Sequence, residues 1–210
     1  MRGIFITIEG GDGAGKTTQI RNITEFFESR GMTVLQTREP GGTPIGEKIR
    51  ELLLDKANSE MTSITEMFLY AASRAQHVND VILPALENDL VVICDRFVDS
   101  SVAYQGLARG LGDMVRDINV HATSGLTPDI TFWLDIDPAK GKMRAGNTGE
   151  HDRIESEGIS FHDKVRLGYR NIADAEPDRV KIIDAEKSIE DMRFEIESHL
   201  EELFARRQAK

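Results

Sequence analysis

A glycine-rich segment near the start of the chain limits the possible folds more than any other feature of the sequence. Residues 10–17 fit the pattern G-x-x-x-x-G-K-[ST] and lie between a β-rich run and a segment of helical period. Glycines let the backbone N–H groups face inward, the following helix adds about half a positive charge at its N-terminus, and Lys16 adds a full one. The pattern predicts a loop for the phosphates of a nucleoside triphosphate, formed by Gly10, Gly11, Asp12, Gly13, Ala14, Gly15, Lys16, Thr17 and Thr18.

Short β-rich runs alternate with longer segments of helical period along the whole chain. The predicted strands are Ile4 to Ile8, Met32 to Thr37, Leu90 to Cys94, Ile130 to Leu134 and Val180 to Ile183. Strands that alternate with helices form parallel sheets, because each connection must cross over the sheet. We therefore expect an α/β fold, a doubly wound five-stranded parallel sheet with helices on both faces, in a single domain over residues 1–210.

Several helix boundaries are also marked in the sequence. Gly31 is expected in a left-handed C-cap, and Thr43 followed by Pro44 is expected to start a helix that runs toward Leu54. Residues 63–88 have a helical pattern in which Pro84 predicts a break or kink. Residues 188–206 have apolar residues at helical spacing, which predicts a last helix with one apolar face. Residues 140–157 are highly charged and poor in large apolar residues, so they are predicted to form a mobile lid.

Charge and composition argue against nucleic acid and membranes as general partners, and cysteine usage indicates the redox compartment. The 210 residues carry a formal net charge of −10, which disfavours general binding to nucleic acid or to an anionic membrane. The apolar runs are far shorter than the ~20 residues of a membrane-spanning helix. Cys94 is the single cysteine, so it has no intrachain disulfide partner, and its apolar neighbours predict a buried strand thiol. A cytoplasmic location fits these features.

Two side chains are candidates for holding Mg²⁺, directly or through water. Thr17 follows the loop lysine, where a hydroxyl reaches a metal ion that bridges the phosphate oxygens. Asp95 follows a buried strand, and the carboxyl end of such a strand delivers side chains to the ligand crevice of a parallel sheet. We therefore expect ATP with Mg²⁺ as the bound nucleotide.

A second group of basic residues indicates a second phosphorylated substrate. The chain lacks the Asn-Lys-x-Asp tetrad of guanine recognition, which argues against a GTPase switch. Arginines bind phosphate in a bidentate manner and stay charged, so several of them converging near the metal would face a second phosphate. The candidates are Arg38, Arg50, Arg74, Arg96, Arg144 and Arg153.

Four further motifs resemble signatures of the thymidylate kinase family. They are residues 38–43 (REPGGT), 70–77 (YAASRAQH), 95–106 (DRFVDSSVAYQG) and 152–155 (DRIE), joined by the phosphate loop and by residues 127–129 (TPD). The motifs occur in order from about residue 4 to residue 185. The resemblance implies a nucleoside monophosphate kinase fold of the phosphate-loop type, Mg²⁺-dependent transfer of the ATP γ-phosphoryl group to dTMP, and a homodimer.

The resemblance also implies roles for individual residues. Asp12 would lie near the dTMP sugar and phosphate, Arg50 and Arg96 would bind that phosphate, and Glu39 would belong to the same pocket. Tyr70 would stack on the base, Arg74 would contact it, and Tyr104 would crowd the position of a 2′-hydroxyl. Ser101 and Gln105 would hydrogen-bond the polar edge of the base. Lys16, Asp95 and Arg96, with a lid arginine, would serve the transfer itself.

The chain departs from the family pattern at two places. Residues 11–14 contain no arginine, and Gly146 to Thr148 stand where many bacterial relatives have lid arginines. We therefore expect first Arg153 and then Arg144 to neutralise the transferred group, an effect on turnover and not on dTMP affinity. Tyr70 stands where relatives usually have Phe. Because one methyl group is worth ~1 to 3 kcal/mol, dUMP should also be phosphorylated at high concentration.

Two alternatives remain at this level. A kinase for another nucleoside monophosphate would share the fold and the phosphate loop but not the residues from Ala103 to Gly106. A regulator that binds ATP and signals by a conformational change would show no turnover that depends on an acceptor.

Overall fold

A five-stranded parallel sheet forms the centre of the protein, in a computed structural model that describes residues 3–146 and 152–208. The strand order is β2-β3-β1-β4-β5. The strands are β1 (Ile4–Gly10), β2 (Val34–Arg38), β3 (Val91–Asp95), β4 (Ile130–Asp135) and β5 (Val180–Asp184). Strand order reverses on the two sides of β1, and ligands of such sheets bind at the carboxyl ends of the strands near that point.

Nine α-helices in the described ranges connect and cover the strands. They are α1 (Lys16–Glu28), α2 (Pro44–Leu54), α3 (Ser63–His77), α4 (Leu83–Glu87), α5 (Val98–Ser101), α6 (Met114–Ala122), α7 (Pro138–Ala145), α8 (Ile159–Ala175) and α9 (Ile189–Gln208). Short connecting helices complete the chain: a 3₁₀ turn (Lys56–Asn58) and two π-helical segments (Val78–Ile82 and Val102–Ala108).

The two faces of the sheet carry separate apolar layers. Alternate residues of β1, such as Ile6 and Ile8, face α1 and α9, while Phe5 packs with α4 and with Cys94 of β3. Trp133 of β4 faces α8. This alternation follows from the period of two along a strand, and it covers both faces as parallel sheets require.

Most of the predicted elements are confirmed, including the parallel five-stranded sheet. Thr43 caps α2 by accepting a hydrogen bond from the Gly46 N–H at 2.9 Å. Gly31 adopts φ 76° after α1, as expected for a left-handed residue. The predicted break near Pro84 appears as the π-helical turn Val78–Ile82, which widens the helix just before the proline removes an N–H donor.

The segment predicted as a mobile lid has two structured parts. Residues 140–145 continue α7, and Ile154 is buried in the apolar layer beneath α8. Residues 152–157 form a turn that the side chain of Asp152 organises, because its Oδ1 accepts hydrogen bonds from the N–H groups of Ile154 and Glu155 at 2.8 Å each. Residues 147–151, including Asn147 and Thr148, lie outside the described part of the chain.

The contact between α8 and the second π-helical segment depends on one small residue. A Cβ atom on Gly168 would lie 2.8 Å from the Ala103 Cα, which belongs to the backbone and cannot move aside easily. We predict that Gly168→Ala lowers the free energy of unfolding by about 1 to 3 kcal/mol because the two segments must separate.

Urea denaturation measures this loss, and Gly158→Ala is the matched control. Gly158 has φ −68°, and a Cβ there meets no described atom within 4 Å. Equal stability of the two variants would contradict the close approach.

Candidate active site

The loop between β1 and α1 wraps as the glycine pattern predicts. Gly10, Gly13 and Gly15 have φ values of 142°, 73° and 93°, a region that other residues rarely adopt. The Nζ atom of Lys16 donates to the carbonyl oxygens of Gly10 and Gly11, at 3.1 Å each. Burial, and next the charge of Arg96, lowers the pKa of Lys16 to about 8. A phosphate in this loop would therefore gain a strong, desolvated donor.

The lid helix α7 lies directly on the phosphate loop. A Cβ atom on Gly13 would meet the Gly141 carbonyl oxygen at 2.1 Å, and one on Gly141 would meet the Asp12 carbonyl oxygen at 2.5 Å. Only glycines at both positions allow the two backbones to approach this closely.

The end of β3 lies beside the loop. Ile8 of β1 pairs with Asp95 of β3, so the strand pairing fixes the aspartate next to the turn that follows β1. The Asp95 Oδ1 atom is buried and has no hydrogen-bond partner among the described residues. Buried carboxylate oxygens are normally bonded, so this atom has an open acceptor position at the phosphate loop.

Arg96 follows Asp95 with φ 69°, which is uncommon for a residue with a side chain. Its guanidinium makes only long contacts, at 3.3 to 3.5 Å, with Asp12 and with the hydroxyl groups of Ser100, Tyr104 and Tyr169. Burial would lower the pKa of Arg96, but Tyr104, Tyr169 and the nearby carboxylates raise it well above its ordinary value. The cation is therefore retained at the cleft, and its ion pair with Asp12, at 3.3 Å, is a long one.

A buried carboxylate holds the turn around Arg96. Glu9 has no exposed surface, and its Oε1 atom accepts from the Phe97 N–H at 2.7 Å. Its Oε2 atom accepts from Ser100 at 2.6 Å and from Tyr169 at 2.9 Å. Burial, and next the charge of Asp99, raises the pKa of Glu9 to about 7, while its hydrogen bonds and Arg96 act in the opposite direction.

Three of the cavities that open at this edge of the sheet include Asp12 in their walls, and two of them also share Arg50 and Arg96. Of these two, the first has a volume of about 420 Å³ and is lined by the phosphate loop together with residues of β2, α2 and β3: Asp12, Gly13, Gly15, Lys16, Thr17, Arg38, Glu39, Arg50, Asp95 and Arg96. The second has a volume of about 130 Å³, and its wall includes Tyr70, Arg74, Tyr104 and Gln105. Four residues line both cavities: Asp12, Glu39, Arg50 and Arg96.

Arg74 is held rigidly behind the second cavity. It is 1% exposed, and its Nε atom donates to Glu39 at 2.7 Å. Its Nη1 atom donates to Ser101 at 2.9 Å and to Asn119 at 2.5 Å, and its Nη2 atom donates to the Phe97 carbonyl at 2.9 Å. Four of its five N–H groups are thus committed, which leaves one Nη2 hydrogen for a ligand.

The structure brings together most of the predicted site residues, with three differences. Ser101 is 2% exposed and bonds to Arg74, and Ser100 lines the cavity in its place. Arg144 donates to the Ala185 carbonyl at 2.6 Å, and Arg153 bonds to Glu66 at 2.7 Å and to the Leu53 carbonyl at 2.8 Å. The described residues around the phosphate loop cavity do not include either arginine.

Sequence reasoning missed Glu9, Glu66, Asn119 and Tyr169. Glu9 carries a usable signal, because a carboxylate inside an otherwise apolar strand is costly to bury unless it is bonded. Glu66 occurs in the first turn of α3, where acidic residues are common. The neighbouring sequence therefore gives no sign that its side chain is buried. Tyr169 and Asn119 resemble core helix residues in pattern.

The family comparison agrees with this geometry. Residues 8–196 match the model of the thymidylate kinase family. The thymidylate kinase of Lactobacillus delbrueckii subsp. bulgaricus is 51% identical over 193 residues, which cover 90% of this chain and 91% of that protein. The thymidylate kinase of Symbiobacterium thermophilum is 49% identical over 206 residues, covering 97% and 95%. A crystal structure of thymidylate kinase from Ehrlichia chaffeensis superposes with a TM-score of 0.75 at 32% identity, covering 96% of this chain and 99% of that one.

The raised pKa of Glu9 predicts a specific pH dependence of stability. Between its ordinary pKa near 4.5 and its folded value of about 7, the folded state binds more protons than the unfolded state. Its contribution to stability is therefore complete below pH 4.5 and is lost as the pH rises through 7. We predict that the stability difference between wild type and Glu9→Gln falls by up to about 3 kcal/mol between pH 4.5 and pH 8.

Urea denaturation of both proteins across this range gives the difference directly. Taking the difference cancels the titrating groups that do not interact with Glu9. Glu9 raises the pKa of Lys16, so the comparison is read below pH 8, where Lys16 is mainly protonated. A constant difference would contradict the assignment of the titration to Glu9.

Proposed function

Because the chain belongs to the thymidylate kinase family, we propose that it transfers the γ-phosphoryl group of ATP to dTMP, giving dTDP and ADP. One observation carries this proposal: the cavity at the phosphate loop and the aromatic-walled cavity share Arg50 and Arg96. Two phosphorylated ligands, one in each cavity, would meet end to end at these two cations. That alignment is what phosphoryl transfer requires of a protein.

On the donor side, the backbone N–H groups of the loop and Lys16 bind the β- and γ-phosphates of ATP. Charge development on the transferred group is offset by donors that are already in place, so little reorganisation accompanies the reaction. A regulator that only binds ATP has no need of the second cavity with its own arginines.

On the acceptor side, Arg50 and Arg96 bind the dTMP phosphate and Asp12 lies beside it. Burial pushes the pKa of Asp12 upward, but Arg96 and Lys16 outweigh burial and hold it below its ordinary value. Tyr70 stacks on the base, while the remaining N–H of Arg74 and the amide of Gln105 form hydrogen bonds with its polar edge. The buried ring of Tyr104, next to Arg96, limits space at the sugar.

The residues present fit a Mg²⁺ ion. The open Oδ1 position of Asp95 supplies an anionic oxygen at the phosphate loop, and Thr17 supplies a hydroxyl on the same cavity wall. Oxygen donors of this kind suit Mg²⁺, directly or through water. When bound there, the ion would supply positive charge that neutralises the phosphates of the donor nucleotide.

Of the two lid arginines, we assign the catalytic role to Arg144. It lies on α7, one turn after the Gly141 that touches the phosphate loop. Its hydrogen bond to the Ala185 carbonyl is the kind of contact that a bound phosphate can replace. Arg153, with only 9% of its side chain exposed, is committed to Glu66.

We also propose a homodimer in the cytoplasm. Helix α3 packs against α2 and α6, and this layer exposes large apolar side chains: Ile45, Leu52, Ile64, Phe68, Met114 and Val120. A clustered apolar surface of this kind typically marks a protein interface. The free, buried Cys94 thiol suits a reducing compartment. No described helix combines the length and apolar character that crossing a bilayer demands.

The function is tested by an ADP-release assay with Mg-ATP and five acceptors: dTMP, dUMP, dCMP, dGMP and AMP. We expect dTMP to give the highest kcat/KM. We expect dUMP to follow at about 10 to 200 times lower, because one methyl group separates the two bases.

The same assay separates the alternatives. A higher kcat/KM for another monophosphate would identify a different nucleoside monophosphate kinase. ATP binding without any acceptor-dependent ADP release would identify a regulator, and in either case dTMP phosphorylation is not the activity.

The catalytic assignment predicts that Arg144→Ala lowers kcat at least about a hundredfold with little change in the KM for dTMP. An arginine that stabilises the transition state of phosphoryl transfer is worth ~10³ to 10⁵ in rate. Steady-state kinetics measure both constants, with Arg206→Ala, an exposed arginine on α9, as the matched control. A near-normal kcat in Arg144→Ala would exclude the assignment.

A further inference from the structure

One buried carboxylate outside the transfer site has an unusual number of partners. Glu66 of α3 is 1% exposed. Its Oε1 atom accepts from Gln105 Nε2 at 2.8 Å and from Arg109 Nε at 3.2 Å. Its Oε2 atom accepts from Arg109 Nη2 at 3.2 Å and pairs with Arg153 Nη1 at 2.7 Å. We call Glu66 and these three partners, together with Glu157, which bonds to Arg109 at 2.5 Å, the Glu66 cluster.

The cluster is electrically balanced in a desolvated place. Two carboxylates, Glu66 and Glu157, face two guanidinium groups, Arg109 and Arg153. Burial would raise the pKa of Glu66, but the hydrogen bonds from Gln105, Arg109 and Arg153 and the charge of Arg109 hold it below its ordinary value. Removing one charged member of such a cluster leaves a buried charge uncompensated, which destabilises the fold.

Two parts of the cluster reach the second cavity, the one with Tyr70 and Arg74 in its wall, which we call the acceptor cavity because dTMP would bind there. Gln105 lines that cavity from the second π-helical segment. The turn at residues 152–157 lines it as well, because Asp152, Ile154 and Glu155 lie in the cavity wall while Arg153 and Glu157 pair with members of the Glu66 cluster. The Arg153 N–H also donates to the Leu54 carbonyl at 3.0 Å, which attaches this segment to the end of α2.

Glu66 determines which way the Gln105 amide points. An ionised carboxylate only accepts hydrogen bonds, so the amide nitrogen of Gln105 must face it. The carbonyl oxygen of Gln105 and its second N–H are then left for the cavity. A carbonyl at this place favours a pyrimidine whose ring N3 carries a proton, as in thymine and uracil, over cytosine, whose N3 is an acceptor.

We propose that Glu66 is a positioning residue that sets the base specificity of the acceptor cavity. It fixes the orientation of the Gln105 amide, and through Arg153 it holds residues 152–157 in the wall of the same cavity. This inference rests on the proposed function, since it takes dTMP as the acceptor.

The test compares steady-state constants of wild type and Glu66→Gln with dTMP and with dCMP. A neutral amide at position 66 can donate as well as accept, so Gln105 is free to turn. We expect the KM for dTMP to rise at least about tenfold, and the preference for dTMP over dCMP in kcat/KM to fall at least about fivefold. The KM for ATP should stay within about twofold of wild type. A role in folding alone would not change the ratio between the two acceptors.

Two variants separate the two parts of the proposal. Arg153→Gln removes the anchor of residues 152–157 but leaves Glu66 bonded to Gln105, so it should raise the KM for dTMP and keep the preference over dCMP. Glu157→Gln changes the other carboxylate of the cluster, which does not contact Gln105, and should also keep that preference.

A third variant keeps the test valid if Glu66→Gln does not fold. The pair Glu66→Gln with Arg153→Gln conserves the net charge of the cluster and still removes the carboxylate from Gln105, so it should lose the dTMP preference. An unchanged ratio of dTMP to dCMP in a folded variant that lacks Glu66 would overturn the inference. If wild type does not phosphorylate dTMP at all, the proposed function itself fails, which is a different outcome.

Discussion

The pairing of β1 with β3 and β4 is the constraint on which the site depends. Because all three strands are parallel, their carboxyl ends lie at one edge, and the register sets Ile8 beside Asp95 and Gly10 beside Leu134. The phosphate loop leaves β1 at this edge, and Arg96 leaves β3 there. A shift of one residue in the register would exchange the two faces of β1, which pack against different apolar layers, and would separate the aspartate from the loop.

Around this edge, the protein keeps its cationic groups available by bonding its anionic groups elsewhere. Glu9 accepts a hydrogen bond from the backbone N–H of Phe97, next to Arg96, and makes no close contact with the Arg96 guanidinium. The Glu39 carboxylate is hydrogen-bonded to Arg74 and His77. Arg96 is left with long contacts that a phosphate can replace. A chain with a net charge of −10 thus presents a local arrangement of positive groups to an anionic ligand.

The sequence predicts the fold well, because its strands and the phosphate loop are local patterns of a few residues. Asp95 could be assigned for the same reason, since a carboxylate at the end of a buried strand has a fixed direction in a parallel sheet. The surroundings of Arg153 could not be predicted. Its partner Glu66 is far away in the chain, and nothing in a charged, glycine-containing segment shows that one of its arginines is buried. Ser100 and Ser101 show a finer limit, because both lie on the short helix α5 and only its orientation in the folded protein decides which hydroxyl faces the cavity.

Helix α3 connects the interior of the cleft with the outside of the molecule. Its inner side carries Glu66, Tyr70 and Arg74, and its outer side exposes Ile64 and Phe68. Since a helix moves as a stiff rod, a small displacement of the outer side tilts all three inner residues together. Because Phe68 belongs to the surface proposed for the dimer, the seating of a second subunit there would act on nucleotide selection from a distance, and a compound that separates the subunits would do so without competing for the cleft.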